Sequence, residues 1–149
     1  MVTGRTDCGM MYAVKRSGSA VAYCALSIKC GTRDEGGYCS GIAHFVEHTI
    51  FKGTLKKSSA VINSYLDKLG GELNAYTTKE EIVLYATVLK EDLLKAASLL
   101  LELATSPVFP EDEIRKEKGV VLDEINSYKD SPSEEIYDKF EELLFSGHP

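Results

Sequence analysis

His44, Glu47 and His48 are the residues of this chain best suited to metal chemistry, in the stretch His44-Phe45-Val46-Glu47-His48. On a helix, positions three and four apart share a face. Two imidazoles and a carboxylate therefore line one stripe, with Phe51 a turn further on. Two imidazoles one turn apart can hold a single divalent cation, and imidazole suits zinc. A carboxylate between them can take a proton from water polarised by the metal. The order H-x-x-E-H reverses the better-known H-E-x-x-H spacing. Ile42, Phe45, Val46, Thr49 and Ile50 form the opposite stripe, the one a core would bury. That stripe argues against a surface helix whose His and Glu merely pair with each other, because an anchored helix makes its polar face line something.

A catalytic zinc usually has three protein ligands and one open position. His148, the third histidine, sits at the chain end and is a poor third ligand. A helix over 110–128 is the better source. Its residues Glu117, Val121, Glu124 and Tyr128 recur at intervals of four, three and four, which places them on one stripe. Carboxylates in a partly apolar stripe are costly unless something neutralises them. Glu117 and Glu124 lie about 10 Å apart along the axis, so one can be a ligand while the other stands behind it. Periodicity does not choose between them, and it also allows both to be solvated acids of the charge-rich run 111–118.

The elements that position these groups come from one domain's worth of chain. The protein has 149 residues, 44% apolar and 27% charged, ordinary values for a globular protein with a real core. A net charge of −6 and the lack of a basic, aromatic-laced cluster exclude a nucleic-acid surface. No run of about 18 apolar residues spans a membrane. The N-terminal residues include Arg5 and Asp7 and have no apolar core, so no signal peptide is read, and a cytoplasmic location is expected unless a targeting segment has been removed. Cys8, Cys24, Cys30 and Cys39 show no C-x-x-C spacing; three of them sit in apolar or strand-like surroundings, where buried thiols are expected rather than ligands or disulfides.

Strands are predicted over 10–15, 20–30, 73–76 and 82–89, the second of them central because it is apolar on both faces. The strand over 73–76 is short and polar, as an edge strand should be. The motif helix is predicted to start from Ser40 as N-cap and to stop at Gly53. A second helix starts at Ser58/Ser59, with Val61, Ile62, Tyr65, Leu66 and Leu69 on one face, and ends at Gly70-Gly71. A largely buried helix follows over 92–105. The helix over 110–128 comes next, and then a last one from Ser131-Pro132 with Ile136, Tyr137, Phe140, Leu143 and Leu144 facing inward. The order of elements gives an α+β class, an antiparallel-rich sheet packed by helices. One domain over 1–149 is expected, cut short after Gly147-His148-Pro149.

Several separate motifs, in order and at matching spacing, make the chain resemble the pitrilysin/insulinase family of zinc metallopeptidases, which includes the processing peptidases. Gly31-Thr32-Arg33-Asp34-Glu35 precedes Gly41-Ile42-Ala43 and the His44–His48 motif, and Phe51-Lys52-Gly53-Thr54 follows. Then come Leu69-Gly70-Gly71-Glu72-Leu73-Asn74-Ala75-Tyr76-Thr77, Glu117, and Val120-Val121-Leu122-Asp123-Glu124-Ile125. The ending Phe145-Ser146-Gly147-His148-Pro149 also matches, and the shorter bacterial and processing-peptidase-like members are the nearest in pattern. Thr49 departs from the Met of many members, off the catalytic face.

The resemblance implies the first α/β unit of that fold. It implies a zinc-dependent metalloendopeptidase acting on peptides or unfolded polypeptides, with one Zn2+ per chain. Its third ligand is a Glu roughly 76 residues past the second His, here Glu124, beside His44 and His48. It makes Glu47 the general base and Glu117 an outer acid needed for activity without binding zinc. It also makes Asn74, Ala75, Tyr76 and Thr77 the strand on which an extended peptide pairs. Family members close two homologous halves around the site, and an Arg and a Tyr from the other half are absent here. The remaining halves of the same polypeptide, or a homologous subunit, are thus expected partners besides peptide substrate, and the chain alone is expected to turn over little. The rival is a non-catalytic peptide-binding subunit, but such relatives typically lose the metal motif.

Overall fold

The structure, a computed structural model, describes residues 1–68 and 70–146; Leu69 and the closing Gly147, His148 and Pro149 lie outside the described residues. The chain runs β1 (Val2–Arg5), β2 (Met11–Val14), β3 (Val21–Ile28), α1 (Ile42–Thr49), α2 (Ser59–Asp67), β4 (Glu72–Thr77), β5 (Ile82–Leu89), α3 (Leu93–Thr105), α4 (Glu111–Lys129) and α5 (Pro132–Leu144). This is the α+β class expected. Among the described residues no helix is long and apolar enough to cross a membrane.

A three-stranded antiparallel sheet in the order β3-β5-β4 carries the core. Ile82, Leu84, Ala86 and Val88 alternate along β5 and are all buried, as one face of a strand requires. Register places Cys24 and Leu73 on either side of Ala86, and Leu26 and Ala75 on either side of Leu84. Against this face pack Ala96, Leu99, Leu100 and Leu103 of α3, Ile62 of α2, and Ala43 and Ile50 of the motif segment. On the other face Val83 of β5 is buried, but the flanking strands are open: Tyr23, Ala25 and Ser27 are exposed on β3, and Glu72, Asn74 and Tyr76 on β4.

Several expectations are corrected here. The strand over 20–30 is an edge, not the centre; Tyr23 is 77% exposed, and the alternation on β3 is of small or amphipathic residues that tolerate water on one face. β5 is the strand paired on both sides. The segment over 10–15 joins a hairpin with β1, a strand not foreseen, in a sheet of its own. α3 is less buried than its Leu-Ala content suggests, since Leu94 and Leu101 face out. On α2, Val61 is exposed while Ile62 is buried. The stripe Ile136, Tyr137, Phe140, Leu143 and Leu144 of α5 is exposed, not inward. A helical period shows which face is apolar but not what covers it. The four thiols are free as expected, yet Cys8, Cys30 and Cys39 are exposed and Cys24 only half-buried.

Gly31 and Glu35 set the entrance to α1. The amides of Thr32 and Arg33 donate to the carbonyls of Thr78 and Lys79 at the β4–β5 turn. This docking is so close that a Cβ on Gly31 would overlap the backbone of Lys79 and Glu80. Gly31→Ala should therefore lower stability by about 2 kcal/mol, the scale of an overpacked contact with no flexible side chain to give way. Thermal unfolding measures it.

The far end of α1 is tied to α3 and α4. The carboxylate of Glu102 on α3 accepts from the Thr54 hydroxyl and from the ammonium of Lys57, and Thr54 is buried. Val108, on the connection into α4, donates its amide to the Gly53 carbonyl at 3.0 Å. A Cβ at Gly53 would come within 2.8 Å of the Val108 side chain, so glycine permits the approach. Hydrogen bonds from Lys57 and Thr54 hold the Glu102 carboxyl below its ordinary range against a smaller opposing effect of burial. A depressed carboxyl stabilises the fold above its unfolded value, about 4.3, and that stability is lost as the pH falls through the folded value. Glu102→Gln should thus cost about 2 kcal/mol near pH 7, and its difference from the unsubstituted chain should vanish in acid. Denaturant unfolding across pH tests this.

Candidate metal centre

The motif forms its helix with a different start from the one predicted. Gly41, not Ser40, is the N-cap, in the left-handed region at φ 88°, where glycine carries no Cβ penalty. The side chain that satisfies the open amides is Glu35, whose carboxylate accepts from Gly41 and Ala43, each at 2.8 Å. Ala43 is buried and Ile42 exposed, a one-residue rotation of the predicted apolar stripe. Thr49 is buried, its hydroxyl donating to the Phe45 carbonyl at 2.7 Å, off the metal face as expected. α1 continues through a 3-10 turn, Ile50–Lys52, to Gly53.

His44 and His48 stand edge to face with ring centres 4.6 Å apart. Their Nε2 atoms are 3.1 Å apart. From α4, Glu124 brings one carboxylate oxygen to 3.1 Å from His48 Nε2 and the other to 3.6 Å from His44 Nε2. On the far side of the same ring, His48 Nδ1 lies 3.1 Å from Glu117 Oε1. A proton on Nδ1 donated to Glu117 leaves Nε2 with its lone pair, so two imidazole nitrogens and a carboxylate face a common point.

With His44 Nε2 deprotonated as well, the three converging acceptors repel one another unless a cation lies among them. The donor set and spacing suit zinc: bonds of about 2.1 Å in a tetrahedron put neighbouring ligand atoms about 3.4 Å apart. His44, His48 and Glu124 are the group among the described residues whose ligand atoms all fall within 4.8 Å of one another.

Glu117 is 8% exposed. Burial is the largest influence on its carboxyl and raises it, but hydrogen bonds from Lys52 and His48, with their charge, outweigh this and hold it below the ordinary range. The Lys52 ammonium lies 2.6 Å from Oε2.

Glu47 lies beside this group on α1, its carboxylate accepting from the Thr77 hydroxyl of β4. A cleft of about 480 Å³ opens next to them, with Glu47, His48, Phe51, Lys52, Asn74 and Glu117 among its walls.

β4, like β3, is an edge of the sheet. The Ala75 amide is met by Asn74 Oδ1 at 2.8 Å, not by β5. Since backbone groups alternate in direction along an antiparallel strand, Leu73, Ala75 and Thr77 turn theirs to the open side. Asn74 and Tyr76 direct their side chains to the open face of the sheet, and Tyr76 lies near Tyr85 with ring centres 6.1 Å apart. The Thr77 side chain turns inward to Glu47, a contact not foreseen although alternation from Ala75 signals its side. Lys52 and Glu35 were also missed; Lys52 extends the spacing of four from His44 and His48, while Glu35 carried no signal of its own.

A family model for Insulinase (Peptidase family M16) matches residues 11–149. The chain belongs to this family. A relative described as an uncharacterized zinc protease, YmxG of Bacillus subtilis (strain 168), is 39% identical over 121 residues, 81% of this chain and 30% of the relative. Another, an uncharacterized zinc protease of Rickettsia felis, is 40% identical over 124 residues, 83% of this chain and 30% of its own length. The chain therefore spans about a third of the length of these relatives. Among solved structures, a protease from Helicobacter pylori matches with a TM-score of 0.70 at 29% identity, over 80% of this chain and 29% of that one. A peptidase M16 inactive domain from Pseudomonas fluorescens matches with a TM-score of 0.86, over 99% of this chain and 36% of that one. At 20% identity the latter shows the M16 fold alone.

Proposed function

We propose that this M16 chain carries the metal ligands and the general base of a zinc-dependent endopeptidase acting on peptides or unfolded polypeptides. The observation that carries the reading is the convergence of His44 Nε2, His48 Nε2 and Glu124 on one point, with Glu47 beside it. One Zn2+ per chain would be held by these three residues. When bound, zinc supplies Lewis-acid chemistry, polarising the scissile carbonyl and making water a better acid. Glu47, steadied by Thr77, accepts the water's proton and passes it to the leaving nitrogen. Glu117 holds the His48 ring through Nδ1, as outer partners of metal-bound imidazoles do. An extended peptide pairs with the open edge at Leu73, Ala75 and Thr77, displacing Asn74 from the Ala75 amide, so that backbone hydrogen bonds provide most of the grip.

Fold alone does not decide activity, since an M16 domain described as inactive shares it; what supports activity here is the presence of all four chemical side chains, His44, Glu47, His48 and Glu124. The cleft is open on one side, and its closure and full turnover are assigned to the remaining part of a longer polypeptide or to a homologous subunit. Metal analysis of the purified chain should find one zinc. Cleavage of an unfolded polypeptide, by a protein of the relatives' full length carrying this chain, should depend on Glu47. A chain free of zinc, or cleavage indifferent to Glu47→Gln, would sink the proposal.

A further inference from the structure

His44, His48 and Lys52 follow one another at intervals of four, along α1 and the 3-10 turn that extends it. From the opposing helix α4, Glu117 reaches across the last interval. One oxygen takes the Nδ1 proton of His48 at 3.1 Å and the other takes the ammonium of Lys52 at 2.6 Å. The carboxylate thus joins two successive turns of the motif segment. Among the described residues, its ion pairs are with these two side chains.

We infer that Lys52 is a positioning residue of the metal centre, fixing the buried carboxylate of Glu117 so that Glu117 can hold His48 with Nε2 aimed at the metal. The inference rests on the metal reading above. A carboxylate with both oxygens engaged cannot rotate about its stem, and its plane then dictates the plane of the imidazole it accepts from. With Lys52 gone, Oε2 has no cation, and a charged group in so buried a place turns toward water. His48 then loses its anchor although its own residue is intact. Lys52 also borders the cleft, but its charge is matched by Glu117, so it is not a free cation there for an acidic side chain of a substrate.

Zinc affinity of the purified chain, measured by competition with a chromophoric chelator, tests this without any turnover. Lys52→Met should weaken zinc binding about tenfold, the lower end of what loss of an outer partner costs a metal site. Lys52→Arg should restore most of that affinity. In a Glu117→Gln background, Lys52→Met should change affinity by less than about twofold, because the group it acts through is gone. Equal affinity of Lys52→Met and the unsubstituted chain would overturn the inference alone, as would an undiminished loss in the Glu117→Gln background. Failure of the unsubstituted chain to bind zinc would overturn the metal reading and this inference together. Should Lys52→Met not fold, Lys52→Gln takes its place: a loss of affinity that Glu117→Gln erases supports the positioning role, and unchanged affinity refutes it.

Discussion

Glu47→Gln should leave the zinc in place and remove peptide hydrolysis. The substitution keeps the length and shape of the side chain, and its amide oxygen can still accept from the Thr77 hydroxyl that now meets the carboxylate. Glu47 is not among the three residues whose ligand atoms converge, so metal content should not fall. What disappears is the ability to accept a proton from water, a contribution of about 10²–10⁴ in rate. The loss should appear in kcat and in kcat/KM together, because proton transfer belongs to the transition state. A Glu47 that only gripped substrate would instead raise KM with kcat preserved. Steady-state cleavage of an unfolded polypeptide by a protein of the relatives' full length carrying this chain, with zinc quantified on the same samples, separates these outcomes, and retained kcat would refute the assignment.

The two acids of α4 show how far the sequence reaches. Seven residues apart on one helix, Glu117 and Glu124 stand about 10 Å apart along the axis, too far to bind one small ion together. That arithmetic holds, yet both carboxylates contact the same residue. His48 resolves the conflict by being wide: its Nδ1 meets Glu117 and its Nε2 meets Glu124. The imidazole ring bridges part of the axial separation, which no count along α4 could reveal. Resemblance, not spacing, implies Glu124 at the metal and Glu117 outside it; the structure brings Glu124 to the Nε2 atoms of His44 and His48 and Glu117 to Nδ1 of His48.

Elsewhere, legibility follows the range of the interaction. The motif helix, the β4–β5 hairpin and the edge position of β4 were readable because spacing of three and four, alternation and turn residues act locally. Glu35 was not readable as the cap of α1: its carboxylate reaches Gly41 and Ala43 from a preceding loop, and local preference pointed to Ser40. Nor was the place of β3, since apolar residues on both faces are compatible with a centre or an edge until the partners are counted. The α5 stripe was read correctly as apolar and wrongly as covered. Packing between distant elements decides such cases, and amphipathicity is silent on it.

Zinc should also stabilise the fold, and Glu124→Ala should abolish most of that gain. The three proposed ligands lie on two helices, α1 and α4, separated in sequence by α2, β4, β5 and α3. A cation holding His44 and His48 to Glu124 therefore closes a long loop and binds the folded state alone. At free zinc about a thousandfold above its dissociation constant, mass action adds about 4 kcal/mol. For a domain near 149 residues this corresponds to a rise in Tm of about 10 °C. Removing the Glu124 carboxylate leaves two imidazoles on one helix, which zinc can still occupy without joining α1 to α4. The Glu124→Ala chain should consequently gain far less Tm at the same free zinc, while its metal-free Tm changes little because Glu124 is half exposed and surface ion pairs contribute little. Differential scanning calorimetry at buffered free zinc reads both quantities. An equal zinc-induced shift in the two chains would show that the stabilising metal sits elsewhere, whereas loss of the shift confined to the variant ties the metal to α4.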